Sequence, residues 1–206
     1  MKIKNHFFTL TLASVCLFQF ACMAQKSSNS SSIETKVNSL VQNMTLEEKV
    51  GQMDQITLDV ITKGKDRFTS DEPVVLDLIA MQQAFGKYKI GSVLNTANNR
   101  ARTPQVWYQI ITQIQKERSG RLNIPIVYGI DAIHGATYTA GATFFPQQIG
   151  QAATRNLDLI KKGAQITAYE TRASGIPWNF SPVLDLGPDP RFPRIWETYG
   201  EDPYLT

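Results

Sequence analysis

With 206 residues and only two histidines, the chain has room for one domain with a real core but little material for a metal site. Its 21 basic residues against 18 acidic ones leave a net charge of +3, too small for a nucleic-acid or anionic-membrane footprint. Both cysteines, Cys16 and Cys22, fall near the start, which excludes a thiolate nucleophile, a thiolate metal site and a disulfide from everything after them.

The first segment, "MKIKNHFFTLTLASVCLFQFACMAQ", opens on Lys2 and Lys4, runs apolar from Phe7 to Phe20, and ends in Ala21, Cys22 and Ala24. That layout predicts a secretory signal peptide over residues 1–24. A membrane-spanning helix would need ~20 apolar residues, more than this run supplies. Two routes of processing stay open. Cys22 would be the lipid acceptor of a lipoprotein, with Gln19 standing where such sites usually carry Leu; cleavage after Ala24 would instead leave Gln25 first. The expected location is the periplasm or an outer-membrane anchor of a Gram-negative bacterium, with membrane contact only if Cys22 is lipidated. Without the leader, 19 basic residues face 18 acidic ones. Residues 25–35, with "QKSSNSSS", read as a polar tether.

The folded part is expected over 36–206. In "MTLEEKVGQM", Thr45 and Glu48 have capping-box spacing, and Leu46, Val50 and Met53 share a helical face. A second helix is predicted over Pro73–Phe85, and "KIGSVLN" (89–95) is a predicted strand. The next helix starts with Thr103 as cap and Pro104 at its first position, carries a core stripe of Trp107, Ile110, Ile111 and Ile114, and closes at Gly120. "IPIVYGI" (124–130) follows as a strand, then a helix over Asn156–Ser174 with Ile160, Ala164, Thr167 and Ala168 on one side and Gly175 as its stop. "PWNFSPVLDL" (177–186) is the third predicted strand.

Nearly continuous apolar strands joined by helices predict an α/β fold with a parallel sheet covered on both faces. Asn95, Asp131 and Asp185 fall at carboxyl ends of the predicted strands, the edge where such folds bind ligands. Each has a plainer reading. Asp131 would cap a turn, Asp185 would form one before "GPDP", and His134 would be a hydrogen-bonded structural histidine. Arg191 and Arg194 would pair with Asp189 or Glu197. The "TYTAGAT" loop lacks phosphate-loop spacing.

Five segments carry a resemblance. "MTLEEKVGQM", "YGIDAIHG", "GATFFPQQIGQAAT", "ASGIPWNFSPVLDL" and "DPRFPRIWETYGEDPYL" occur in the order seen in glycoside hydrolase family 3, over residues 40–206. "GIDAIHG" is similar to its β-glucosidases and exo-β-glucan hydrolases. The resemblance implies the amino-terminal portion of a (β/α)8 TIM-like barrel in an exported retaining β-glucosidase that removes terminal β-D-glucosyl residues. Its ligand would be a β-glucoside or short β-glucan, with no cofactor and no metal. Asp131 matches the acid that accepts hydrogen bonds from sugar hydroxyls, and Arg194 the arginine that donates to them; Glu197 would orient Arg194. Where the family often has Trp–Gly, this chain has Phe192–Pro193.

None of the 206 residues matches the catalytic pair. The family nucleophile lies in a Ser-Asp-Trp-like segment after a Lys-His segment, and the sequence contains neither. Nucleophile and acid/base are therefore expected beyond Thr206. Three predicted strands are also too few to close a barrel. The alternative is a non-catalytic sugar-binding remnant of the same fold.

Overall fold

The computed structural model describes residues 32–118 and 123–206. The predicted signal peptide with Cys22, most of the tether, and Gly120 lie outside the described residues. The chain divides into two units after Thr45, each taken by itself. In the first, residues 32–43 form helix α1, so the last residues of the expected tether are helical. Its Ile33, Val37, Leu40 and Val41 make an exposed apolar stripe at helical spacing.

The second unit begins with α2 (Leu46–Met53), whose first turn carries Glu47 and Glu48, favourable at the positive end of a helix dipole. The expected core face is not one: Leu46, Val50 and Met53 are 73%, 45% and 78% exposed. The helix meets the rest of the fold through Gly51, where an added Cβ would lie 2.2 Å from the Tyr88 carbonyl oxygen. Backbone contact replaces side-chain packing there, and Gly91 N–H donates to Gly51 O at 2.9 Å.

Four short strands follow: β1 (Gln55–Thr57), β2 (Ser92–Leu94), β3 (Val127–Ile130) and β4 (Trp178–Asn179). They form one parallel sheet in the order β1-β2-β3-β4, with Val93 opposite Tyr128 and Gly129 opposite Trp178. An order that follows the chain without reversal is that of a β/α barrel; doubly wound sheets reverse. The sequence reading missed β1, because three residues directly after a helix show no alternation of their own.

Helix α3 (Leu78–Met81) continues into a π-helical stretch, Gln82–Lys87. It starts later than the predicted Pro73, because Val75 and Asp77 are tied in extended form to Lys63 and Ile61. The Asp77 carboxylate then caps it, accepting from Ile79 and Ala80 N–H. Helix α4 (Pro104–Glu117) starts as expected, with Thr103 Oγ1 accepting from Val106 N–H, and ends at Glu117, before the expected stop at Gly120. Helices α5 (Gln148–Ala153) and α6 (Leu157–Ala173) link β3 to β4. α6 is capped by Asn156 and ends at Gly175, whose φ of +80° suits a residue without Cβ. Its buried side is Gly163, Thr167 and Thr171, one step round from the predicted face, and Ala164 and Ala168 are exposed.

The core lies between the sheet and α3 and α4. Trp107, Tyr128, Phe85, Leu58, Ile61, Met81, Ile114 and Ile130 are fully buried there. Trp107 meets Tyr128 edge-on at 5.5 Å, and its indole N–H donates to Tyr138 O at 3.0 Å, so the polar tip of the largest core residue is satisfied.

Candidate sugar-binding site

Asp131 immediately follows β3 and is half-buried. The strand brings it to the carboxyl edge, and β4 fixes its direction. Asn179, the last residue of β4, accepts from Ala132 N–H at 2.9 Å and donates to Ala132 O at 3.3 Å. The peptide after Asp131 is thereby clamped from the neighbouring strand. Sequence reasoning missed Asn179, although a polar residue inside "PWNF" was a usable signal.

The loop behind Asp131 folds back on itself. Gly135 has φ +109°, and a Cβ there would lie 2.1 Å from Thr143 O, so the turn admits only glycine. His134 Nδ1 lies 2.9 Å from Phe145 O, and its ring stands edge-on to Phe144 at 4.7 Å. Because the partner is a carbonyl, Nδ1 carries the proton. His134 is the structural histidine of the plainer reading. Glu170 of α6 accepts from Thr143 N–H and Oγ1–H, both at 2.9 Å, and pins the far side of the loop.

A second clamp comes from the sheet side. Arg102 N–H donates to Tyr138 O at 2.9 Å, and Ala140 N–H donates to Arg102 O at 2.8 Å. The Arg102 guanidinium forms a bidentate pair with Glu72, both contacts at 2.7 Å, and also donates to Ala97 O at 2.8 Å. Asn98 adds a bond to Glu72 at 3.0 Å. The Arg102 hydrogen bonds, burial working against them, and then Asn98 hold the Glu72 carboxyl at about 2, below its usual 4.5. The folded-state pKa is depressed, so the stabilisation is present above pH 4.5 and lost as pH falls towards 2. Melting temperature measured across that window is expected to fall less steeply in Glu72→Gln than in the wild type, from a lower starting value at pH 7. Parallel curves would show the pair to be without consequence.

Arg194 opens the 3-10 turn Ile195–Glu197 and is half-exposed. Glu197 holds it: Arg194 Nε–H donates to Oε2 at 2.7 Å, and Nη2 reaches the same oxygen. Glu197, with 15% of its side chain exposed, is the better anchored partner. The turn is fixed by Thr198, fully buried, whose hydroxyl donates to Ile195 O at 2.8 Å and accepts from Gly200 N–H at 3.1 Å. Helix α5 packs against the same turn. The hydrogen bond to Glu197, then its charge, and then those of Asp131 and Asp185 raise the Arg194 pKa. Arg194 and Glu197 thus form one held pair, and the more distant charge of Asp131, from another segment, is among the smaller influences that favour the cation.

One rim expectation changes and another holds in position. Asp185 is not at a strand end, because β4 stops at Asn179; Pro182, without an N–H, cannot extend the ladder, and Asp185 is exposed in irregular chain. Asn95 does follow β2, but its carbonyl accepts from Tyr128 Oη at 2.6 Å and its backbone is left-handed, so it serves the turn. Arg191 is 89% exposed and pairs with Asp189, as in its plainer reading. Among the described residues no group of three or more His, Cys, Asp or Glu is placed to hold a metal.

A parallel sheet in chain order, with Asp131 at its carboxyl edge, defines the class: a β/α-barrel-type protein. The family follows from comparison. The profile of the glycosyl hydrolase family 3 N terminal domain matches residues 45–206, and the chain belongs to that family. The four strands are accordingly part of a TIM-barrel-like domain.

A lysosomal beta glucosidase of Dictyostelium discoideum is 39% identical over 84% of this chain and 21% of its own length. A periplasmic beta-glucosidase of Salmonella typhimurium is 31% identical over 82% of this chain and 19% of its own. The crystal structure of an exo-1,3/1,4-beta-glucanase from a Pseudoalteromonas species superposes with a TM-score of 0.66 at 34% identity, over 84% of this chain and 21% of that one. The chain therefore spans about a fifth of the length of the curated relatives it matches.

Proposed function

We propose that these residues form part of the sugar subsite of an exported, retaining β-glucosidase acting on terminal non-reducing β-D-glucosyl residues. One observation supports the reading: Asp131 stands at the end of β3, and its charge is among those that favour the Arg194 cation held by Glu197. An ionised carboxylate only accepts hydrogen bonds and a guanidinium only donates, so together they read hydroxyls that do both. The β-glucosidase and glucanase relatives support a β-glucoside or short β-glucan as the ligand. The leader-like segment 1–24 and the periplasmic relative support export.

The reaction would follow the two-carboxyl scheme of retaining glycosidases, with groups ~5–5.5 Å apart, one attacking the anomeric carbon and the other protonating the leaving oxygen. Asp131 and Glu197 are not that pair: the first binds and the second is occupied with Arg194. The nucleophile and the acid/base are not assigned to any of these residues. Assay of the protein from its full gene with 4-nitrophenyl β-D-glucoside tests this, and release of nitrophenol with retained β-configuration is expected. Glucose binding without turnover would replace the hydrolase by a binding remnant. Absence of both binding and turnover would overturn the reading.

A further inference from the structure

The chain leaving β3 is held by a side chain rather than by more strand. The parallel ladder closes with Ile130 opposite Asn179, and Phe180 N–H donates to Ile130 O at 3.0 Å. Beyond that point the Asn179 amide takes over. Its oxygen accepts from Ala132 N–H at 2.9 Å, and its nitrogen donates to Ala132 O at 3.3 Å. A primary amide offers the same kinds of acceptor and donor as a peptide group, so Asn179 extends the pairing past the end of the ladder. Asp131 lies between these bonds, with Ile130 held before it and Ala132 after it.

The neighbours of Asn179 fix the strand that carries it. Side chains alternate along extended chain, so Trp178 and Phe180 leave on one face and Asn179 on the other. The two rings meet edge-on at 4.8 Å. The Phe180 ring also fills the space over Gly129, where a Cβ would lie 2.4 Å from it. Ring packing on one face thus leaves the amide on the face where it meets Ala132. Because Ala132 is fully buried, removal of the amide would either strand two backbone groups or shift the chain that carries Asp131.

We propose that Asn179 is a positioning residue of the sugar subsite: its amide fixes the Ala132 backbone and so sets where the Asp131 carboxylate stands. The inference rests on the reading of this rim as a glucose subsite. On that reading the carboxylate meets the sugar hydroxyls, and Asn179 acts only through it. Placement matters because a hydrogen bond weakens steeply once donor and acceptor leave line.

The test compares wild type, Asp131→Ala, Asn179→Ala and the double variant of the protein from its full gene, by titration calorimetry with glucose and the monodeoxyglucoses. Asn179→Ala is expected to weaken glucose binding about tenfold, as for the loss of one charge-assisted hydrogen bond to Asp131. The double variant should bind no more weakly than Asp131→Ala, because Asn179 then has nothing left to position. Both single variants should also lose discrimination at the same sugar hydroxyl. A merely structural contribution would add to the Asp131 loss and weaken all the sugars alike. Asn179→Asp keeps the shape and the acceptor but loses the donor, so it should lie between wild type and Asn179→Ala, and it serves if the alanine variant does not fold. Additive losses, or unchanged affinity in Asn179→Ala with Asp131→Ala impaired, would overturn the Asn179 assignment alone. Loss of the fold in both Asn179 variants would do the same. Unchanged affinity in Asp131→Ala, or no glucose binding by wild type, would overturn the subsite as well.

Discussion

Asp131→Ala is expected to lower kcat/KM for an aryl β-glucoside by about 10²- to 10⁴-fold, the loss of two charge-assisted hydrogen bonds at ~1.5–3 kcal/mol each. Glucose affinity should fall with it, because the missing contacts are made in the ground state as well as in the transition state. The fold should not change. Asp131 is half-buried at the rim, and the clamp that fixes its backbone runs through Ala132 and Asn179, which the substitution leaves alone. Asp131→Asn should fall between, keeping shape and one acceptor but losing the charge. Steady-state kinetics on the two variants, with circular dichroism as the control, decides the matter. A near-wild-type kcat/KM for the alanine variant would remove Asp131 from the site.

Trp107→Ala should be the most damaging single change to stability. The side chain is fully buried, and its removal leaves a cavity costing ~3–5 kcal/mol by comparison with other large-to-small core substitutions. It also strips one donor from Tyr138 O and the edge contact from Tyr128. Trp107→Phe should recover most of the stability while leaving that carbonyl with only the Arg102 N–H. Urea unfolding of the three proteins reads the difference. A shift below about 1 kcal/mol for the alanine variant, within the ordinary range of surface changes, would mean that the core is not centred on α4.

How far the sequence could be read depends on how local each signal is. Helix α4 was legible because cap, proline and stripe sit within one run, and Asp131 because an apolar β-branched run ends on an acid. Arg194 and Glu197 were legible through their spacing and the family resemblance. β1 was not, since its pairing partner is Ser92–Leu94 and nothing in "QIT" points there. The face of α2 was misjudged for a related reason. Periodicity marks which residues could be buried, but the approach of Gly51 to Tyr88 decided which one was. Glu72 and Arg102 carry no local mark of their pairing, 30 residues apart.

The strictly sequential strand order also sets a timetable. A ribosome adds ~5–20 residues each second, so Asp131 leaves it several seconds before Arg194. β2 and β3 each pair with the strand just made, and the edge that carries Asp131 can take shape on a nascent chain before Arg194 exists. The proposed subsite would thus be assembled acceptor first, with its arginine arriving last.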